Sequence, residues 1–311
     1  MHDLGALGGT YSNALAINSS GVTVGSAYLS GNFASHATRW AAGAVTDLGT
    51  LGGTNSQALG ISDSGNIVGY SAVLGDSANH AVLWASGSIT DLGTLGGTFS
   101  TAHDINSSDK IAGASFTSSS FTHAALWDGS GVHDLGTLGG RYSYAYAIND
   151  AGLVVGSSTT TSATAPSHAA LWNGLTVTDL GTLGGNYSSA QDVNNFGMVV
   201  GYSRLADNVT FHATLWDNTG IVDLNTLLDD DTVNAGWVLS SAWGVSDKGW
   251  IVGRASNLKL GLENRAFLLS TPDVNAQVPE PSGAALTLVA LAALRLCRRG
   301  RPWMKIVPGG N

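Results

Sequence analysis

Charge is scarce in this sequence. Charged residues make up 11% of its 311 positions, far below the ~25% usual for soluble domains. There is one cysteine, Cys297, which excludes an internal disulfide and a cysteine-built zinc site. Stability therefore has to come from packed sheet. Basic residues are fewest where most of the chain lies. Five of the 13 (Arg295, Arg298, Arg299, Arg301 and Lys305) fall beyond the repeats described below, and the chain through Val278 carries 8 basic against 21 acidic groups, a net charge of −13. So acidic a body repels phosphate backbones, and no nucleic-acid partner is expected. The basic-then-apolar start of an export signal is also lacking, since the chain opens at Met1-His2-Asp3, inside a repeat. The expectation is either further sequence upstream or export by another route.

What the sequence has in excess is glycine, 42 residues, roughly twice the ~7% average, and it recurs in phase. Asp47-Leu48-Gly49-Thr50-Leu51-Gly52-Gly53 returns with small changes at Asp3, Asp91, Asp134, Asp179 and Asp223, at intervals of 44, 44, 43, 45 and 44 residues. Such a period marks one supersecondary unit written repeatedly, as in a propeller, solenoid or repeat array. The repeats run unbroken to about Leu269 and predict one folded body over 1–272.

Each unit contains four short segments of strand character. The first reads Ser-x-Ala-x-x-(Ile/Val) after the Gly-Gly, with Ala14, Ala58, Ala102, Ala145, Ala190 and Ala242 at one fixed place. Small residues suit the crowded inner strand of a propeller blade. A turn follows that begins with Asn, Asp or Ser and ends at Gly21, Gly65, Gly152, Gly197 or Gly249, with Asp109 in the third unit; this predicts a hairpin with a positive-φ residue at that position. The second segment is β-branched and ends in glycine (Val22–Gly25, Ile67–Gly69 and their equivalents), which suits close approach of another backbone. The third is His-Ala-x-x-Trp, at His36, His80, His123, His168 and His212, replaced in the last unit by Arg265-Ala266-Phe267. The Asp-Leu-Gly segment is the fourth. The reading is an all-β propeller of about six four-stranded blades. The chain starts on a fourth segment and the repeats end on a third, so pairing the ends would close the ring and remove an exposed edge.

Ser, His and Asp recur in nearly every unit, and a hydrolase triad could be assembled from any of them. A catalytic group is needed once, however, whereas a set present in every blade answers to something every blade must do. His36, His80, His123, His168 and His212 are accordingly expected to pair with Asp47, Asp91, Asp134, Asp179 and Asp223 of the adjoining strand as a structural network, and the chain is read as no enzyme, with no cofactor and no metal. Arg265 agrees, because it can donate to a carboxylate but cannot ligate a metal.

The residues that do not repeat are the better functional candidates. Asp104 and Asp192 stand where other units have Ala or Gly, and would meet a cation or sugar hydroxyl if the first strand lines a channel. The run Asp229-Asp230-Asp231 lacks the alternating spacing of a calcium loop and reads as a solvated insertion. Tyr11, Phe99, Tyr142 and Tyr187, beside the Gly-Gly turns, would gather on one rim and could stack on sugars.

After Pro272 the composition changes. Residues 273–282 read as a linker containing Pro279-Glu280-Pro281, residues 283–297 as an apolar transmembrane-like helix, and 298–311 as a basic tail. Twelve apolar residues in helix span about 18 Å against a ~30 Å hydrocarbon core, and extension through Cys297 with Arg295 snorkelling brings the segment near the lower limit for spanning. The arginines would remain cytoplasmic.

Two resemblances follow from these motifs. The units from Asp3 to Leu269 resemble the HAF-repeat family of probable extracellular bacterial proteins, in Asp-Leu-Gly-x-Leu-Gly-Gly, Ser-x-Ala, Val-Val-Gly and His-Ala-x-Leu-Trp. Pro279 to Arg299 resembles a PEP-CTERM sorting signal, although such signals usually end at the basic cluster and this chain continues through Pro302-Trp303 to Asn311. The resemblance implies export to the envelope or exterior of an exopolysaccharide-producing bacterium, transient anchoring by the C-terminus, and recognition by an exosortase-type processing enzyme. On this reading the protein is a non-catalytic surface or matrix protein that binds exopolysaccharide or a surface protein. The alternative is a propeller enzyme acting on carbohydrate, with Asp104 or Asp192 as acid and base.

Overall fold

The computed structural model describes residues 3–161, 166–217 and 220–270. The repeat folds as a four-stranded antiparallel sheet, and it does so five times. The first sheet is β1 (Gly8–Ile17), β2 (Thr23–Leu29), β3 (Ser35–Ala41) and β4 (Ala44–Asp47), and the second is β5 (Gly52–Ile61), β6 (Ile67–Val73), β7 (Asn79–Ala85) and β8 (Ser88–Asp91). The third is β9 (Gly96–Ile105), β10 (Ile111–Thr117), β11 (Thr122–Asp128) and β12 (Gly131–Asp134), and the fourth is β13 (Gly139–Ile148), β14 (Leu153–Thr160), β15 (Ser167–Asn173) and β16 (Thr176–Gly181). The fifth is β17 (Gly184–Val193), β18 (Val199–Leu205), β19 (Phe211–Asp217) and β20 (Gly220–Asp223). A 3-10 turn (Leu224–Leu227) and a short helix α1 (Asp230–Ala235) then precede a three-stranded sheet, β21 (Trp237–Val245), β22 (Trp250–Asn257) and β23 (Leu262–Ser270). The chain forms two compact units, one of Met1–Pro166 with Ala170–Asp179, the other of Ser167–Ala169 with the chain from Leu180 onward.

The expected count of six four-stranded sheets thus falls one strand short among the described residues. The Asp3 segment, expected to supply that strand, carries none. Asp3 accepts the Gly5 amide at 2.9 Å, the Gly5 carbonyl accepts the Trp40 indole N–H at 3.1 Å, and Leu7 bridges Leu29. These contacts lay the segment against the first sheet.

The local causes of each sheet are readable. In the hairpin between first and second strands, the Gly21 amide donates to the Asn18 carbonyl at 3.0 Å with Gly21 at φ +76°. Asp109 takes the same left-handed conformation at φ +58°, which aspartate tolerates better than most residues. The first strand then carries a bulge after its alanine, between Ala58 and Gly60 and at the equivalent place in the others. At that bend the second strand presses in closely. A Cβ built on Gly69 would lie 1.9 Å from the Gln57 carbonyl oxygen, so this glycine is required by backbone approach.

The described residues form several apolar clusters rather than one core. Apolar residues cluster between consecutive sheets: Val24, Ala37, Ala58, Ile67, Val82 and Trp84 between the first and second, and Val68, Ala81, Ala102, Ile105, Ala125 and Trp127 between the second and third. Trp172 with Ala112 and Ala145 fills the next layer of the first unit, and Leu215, Leu239 and Ile251 pack within the second unit. The fixed alanines Ala58, Ala102, Ala145, Ala190 and Ala242 are all fully buried; Trp84, Trp127 and Trp172 supply bulk in the clusters of the first three, and Leu269 in that of Ala242.

Substituting Gly69→Ala should destabilise by about 3 kcal/mol or more, because backbone rather than a movable side chain blocks the new methyl. Gly21→Ala, with open space around its Cβ, should cost only the left-handed penalty of about 1–2 kcal/mol. Urea midpoints of the two variants measure the difference; equal losses would refute the close-approach reading.

Candidate functional site

The recurring histidines meet the recurring aspartates. Nδ1 of His36, His80, His123 and His212 lies 2.8, 2.8, 2.8 and 2.6 Å from a carboxylate oxygen of Asp47, Asp91, Asp134 and Asp223, while His168 on β15 and Asp179 on β16 hold the same places in the fourth sheet. An ionised carboxylate can only accept, so the imidazole proton sits on Nδ1. The same aspartates cap their own turns, Asp47 taking the Gly49 amide and Asp91 the Gly93 amide, each at 2.8 Å. Burial pushes the Asp223 carboxyl up, but hydrogen bonds from His212 and Asn225 and the charge on His212 outweigh that and leave it lowered.

Two further sets of side chains join one sheet to the next, and the sequence alone did not single them out. Ser56 Oγ accepts the Ala37 amide of the preceding sheet at 2.9 Å and donates to the Gly49 carbonyl at 2.7 Å. Ser100, Ser143 and Ser188 repeat both bonds with Ala81, Ala124 and Ala169 and with Gly93, Gly136 and Gly181. At the hairpin end, Asn18 accepts the Ser20 and Val22 amides of its own turn and donates through Nδ2 to the Ser62 carbonyl of the next. Asp63 then accepts the Ser19 amide. Asn106 with Asn149, and Asn194 with Ser246, repeat the device. The sequence signal was a serine at fixed offset and an asparagine or aspartate pair at the turn, but their partners lie one repeat away.

The non-repeating aspartates are occupied by backbone. Asp104 accepts the Ile105 amide at 2.8 Å and the Ile148 amide at 2.9 Å; Asp192 accepts Val193 at 2.8 Å and Val245 at 2.7 Å. Each carboxylate thus spans its own bulge and the first strand of the next sheet. Burial pushes the Asp192 carboxyl up, while the Val245 and Val193 amides pull the other way. Asp229 caps α1 by accepting the Thr232 amide at 2.7 Å, with Asp230 and Asp231 in the first turn, which is where acidic residues favour a helix. No group of three or more metal-ligating side chains occurs among the described residues.

One cluster not anticipated from sequence resembles a triad in composition. Asp128 Oδ1 accepts from the Ser130 amide, the Ser130 hydroxyl and His133 Nε2 at 2.8, 2.7 and 3.0 Å, and Ser130 Oγ lies 2.9 Å from the same Nε2. The Ser130 hydroxyl and amide, with His133, hold the Asp128 carboxyl at about 2. A relay needs serine and aspartate on opposite ring nitrogens; here both crowd one nitrogen and the hydroxyl proton goes to the carboxylate. The cluster closes the β11–β12 turn.

The aromatics beside the Gly-Gly turns each find an aromatic partner. Tyr11 meets Tyr28 at 6.0 Å, Phe99 meets Phe116 at 5.3 Å, and Tyr142 meets Phe121 edge-on at 5.8 Å. Tyr11, Phe99 and Tyr142 remain 57%, 39% and 41% exposed. In the second unit Tyr187, Tyr202 and Phe211 pack mutually and Tyr202 continues to Trp243 at 5.9 Å. Pro279, Glu280, Pro281, the apolar segment and the basic tail lie outside the described residues, and no helix within those residues is long and apolar enough to cross a membrane.

Magnitudes rank these contacts. Asp91 is 42% exposed at its side chain, so His80→Ala should cost under about 1 kcal/mol. Ser56→Ala strands a buried amide and a carbonyl together and should cost about 2 kcal/mol or more; chemical denaturation distinguishes the two. For Asp223 the lowered carboxyl means its contribution is present above the ordinary carboxylate range and lost as pH falls through the folded value, so Asp223→Asn should flatten the acid limb of the stability curve, and an unchanged limb would refute this. Comparison of the chain with protein-family models and with curated proteins gave no match in either case.

Proposed function

We propose that this chain is a non-catalytic, exported repeat protein of the HAF type, sorted through its Pro279-Glu280-Pro281 signal to the cell envelope or exterior, where it binds polysaccharide. The observation that carries the non-catalytic reading is the fate of the polar side chains that could do chemistry. The serines, histidines and aspartates of the repeat are hydrogen-bonded to one another and to backbone, and Asp104 and Asp192 are engaged by amides. What remains exposed in series is aromatic, and aromatic faces stack on the apolar faces of sugars as readily as on one another.

The sheets, in this proposal, are blades of a ring closed at its ends. Support comes from the end sheets, each taken by itself. Ile17 is 66% exposed where its equivalents Ile105 and Ile148 are 5% and 6%, and Val252 is 45% exposed where Val68, Val155 and Val200 are 0%. Leu4, at the place from which Leu48 donates its amide to Ala37, is 43% exposed. Closure would cover these apolar faces as the inner ones are covered.

Two experiments test the reading. By equivalence with the Ser19 to Asp63 contact, closure sets Asp247 against Ser19. Ser19→Cys with Asp247→Cys, in a chain whose Cys297 is replaced by serine, should give a monomer of increased mobility on non-reducing gels; exclusively intermolecular disulfides would rule closure out. Fractionation of cells expressing the full chain should place it outside the cytoplasm, with Pro279→Ala and Pro281→Ala together causing retention in the membrane. Unaltered release of that variant would remove the sorting proposal.

A further inference from the structure

The repeat body has five arginines, Arg39, Arg141, Arg204, Arg254 and Arg265, and three of them lie over aromatic rings instead of against carboxylates. Arg141 sits 5.4 Å above Phe121. Arg204 lies 4.9 Å from the centre of Phe211 and 5.7 Å from that of Tyr187, and Arg254 lies 5.3 Å above Trp243. In the second unit the rings between the last two are continuous. Tyr187 and Phe211 pack on Tyr202 at 6.1 and 5.6 Å, and Tyr202 on Trp243 at 5.9 Å. The result is one aromatic strip with a guanidinium at each end.

The two guanidiniums are under-used. Arg204 makes one long hydrogen bond, Nη1 to Asn186 at 3.4 Å, and its buried Nε has no partner; Arg254 donates no side-chain bond and neither pairs with a carboxylate among the described residues. In a body with 21 acidic groups, carboxylate partners are plentiful, so leaving two arginines unpaired on one strip is not forced by a shortage of anions. Arginine has five donors in a fork that fits a carboxylate. Trp243, 44% exposed, has its indole N–H anchored to Ser241 Oγ at 2.9 Å, which fixes the ring with a face free of that task. A continuous strip of packed rings, flanked by guanidiniums that have no carboxylate partner among the described residues, fits a ligand that combines sugar rings with carboxylates.

We infer that the Tyr202–Trp243 strip with Arg204 and Arg254 binds a sparsely charged acidic polysaccharide, sugar rings on the aromatics and a uronate carboxylate on a guanidinium. This rests on the polysaccharide-binding reading above and adds the ligand's charge. The acidity of the body as a whole sets a limit on the ligand: a densely charged polyanion is repelled over the Debye length, about 10 Å at 0.1 M salt, whereas isolated carboxylates are taken at contact distance.

The test uses the full chain and gellan, a polymer with widely spaced uronates, beside its carboxyl-reduced form, by affinity electrophoresis and calorimetry at fixed salt. Wild type should bind gellan, and the carboxyl-reduced polymer should bind at least roughly tenfold more weakly. Trp243→Ala should weaken binding of both polymers. Arg254→Gln, an exposed change not expected to disturb folding, should weaken gellan alone, by roughly tenfold, with Arg254→Lys restoring part of the loss. Unchanged circular dichroism qualifies each variant. Equal binding of gellan and its reduced form, or variants that bind as wild type does, would overturn the inference while leaving a polysaccharide-binding surface elsewhere. Absence of binding to either polymer would remove both.

Discussion

From the second sheet to the fifth, one serine hydroxyl ties the sheet to backbone of the one before it, and the rest of the repeat is arranged to let it do so. Ser56 Oγ must reach the Ala37 amide and the Gly49 carbonyl at once. The first is a buried amide of β3 and the second a part-buried carbonyl of the β4–β5 connection, and the amide would otherwise be buried without a partner. An unpaired buried amide costs more than a hydrogen bond gains, so the contact is better regarded as a condition for stacking sheets than as added strength. A threonine would bring a methyl group into the same narrow space, and an alanine would leave the amide without a partner. The close spacing also explains why the residue two places on is alanine, and why Gly69 stands opposite it with its Cβ position filled by a neighbouring carbonyl.

Seen this way, the conspicuous His-Asp pair is secondary. Its members are the most chemically suggestive residues of the repeat, yet the aspartate side chains of the first three pairs are 39%, 42% and 41% exposed, where water competes with the ion pair. Their steadier work is local: the carboxylate caps the turn that delivers the Asp-Leu-Gly carbonyl to the serine. The junction into the last sheet departs from this scheme in the side chain it uses. There Asn225 stands where the glycine was, its amide group bonding the Leu239 amide at 2.7 Å and carbonyl at 2.9 Å, and Ser240 turns instead to the Arg254 carbonyl. The sheet-to-sheet contact is kept there by another side chain, beside a His212–Asp223 pair that remains in place at 2.6 Å.

The period, the antiparallel hairpins and the left-handed turn residues, Asp109 included, were legible because each is dictated by residues near in sequence: a glycine's φ, an alternation, a turn. The serine and asparagine contacts were not, because Ser56 and Ala37 are 19 residues apart and Asn18 and Ser62 are 44 apart, and no local rule connects them. Asp104 and Asp192 invited a functional reading for the sound reason that they break the pattern. What local reasoning could not supply was the bulge, which turns the carboxylate along the strand toward the amide of the next sheet's Ile148 or Val245. A departure from a repeat marks a place where packing differs, and only some such places face a ligand.

The two kinds of departure can be told apart by what surrounds them. A polar residue whose hydrogen-bonding capacity is met by backbone, such as Asp104, is part of the frame, whatever its rarity among the repeats. Arg204 and Arg254 differ in that their donors outnumber their partners while their positions are fixed by rings. Fixing a long side chain costs rotamer entropy, and no carboxylate bond offsets it among the described residues. Cation–π contact returns about 0.5–1 kcal/mol at exposed sites and more when desolvated, enough to hold the guanidinium plane but not to use its fork. A preorganised guanidinium with no carboxylate partner among the described residues is the arrangement that the inferred acidic ligand would complete, whereas the serines, asparagines and aspartates that join the sheets have their bonding met within the frame.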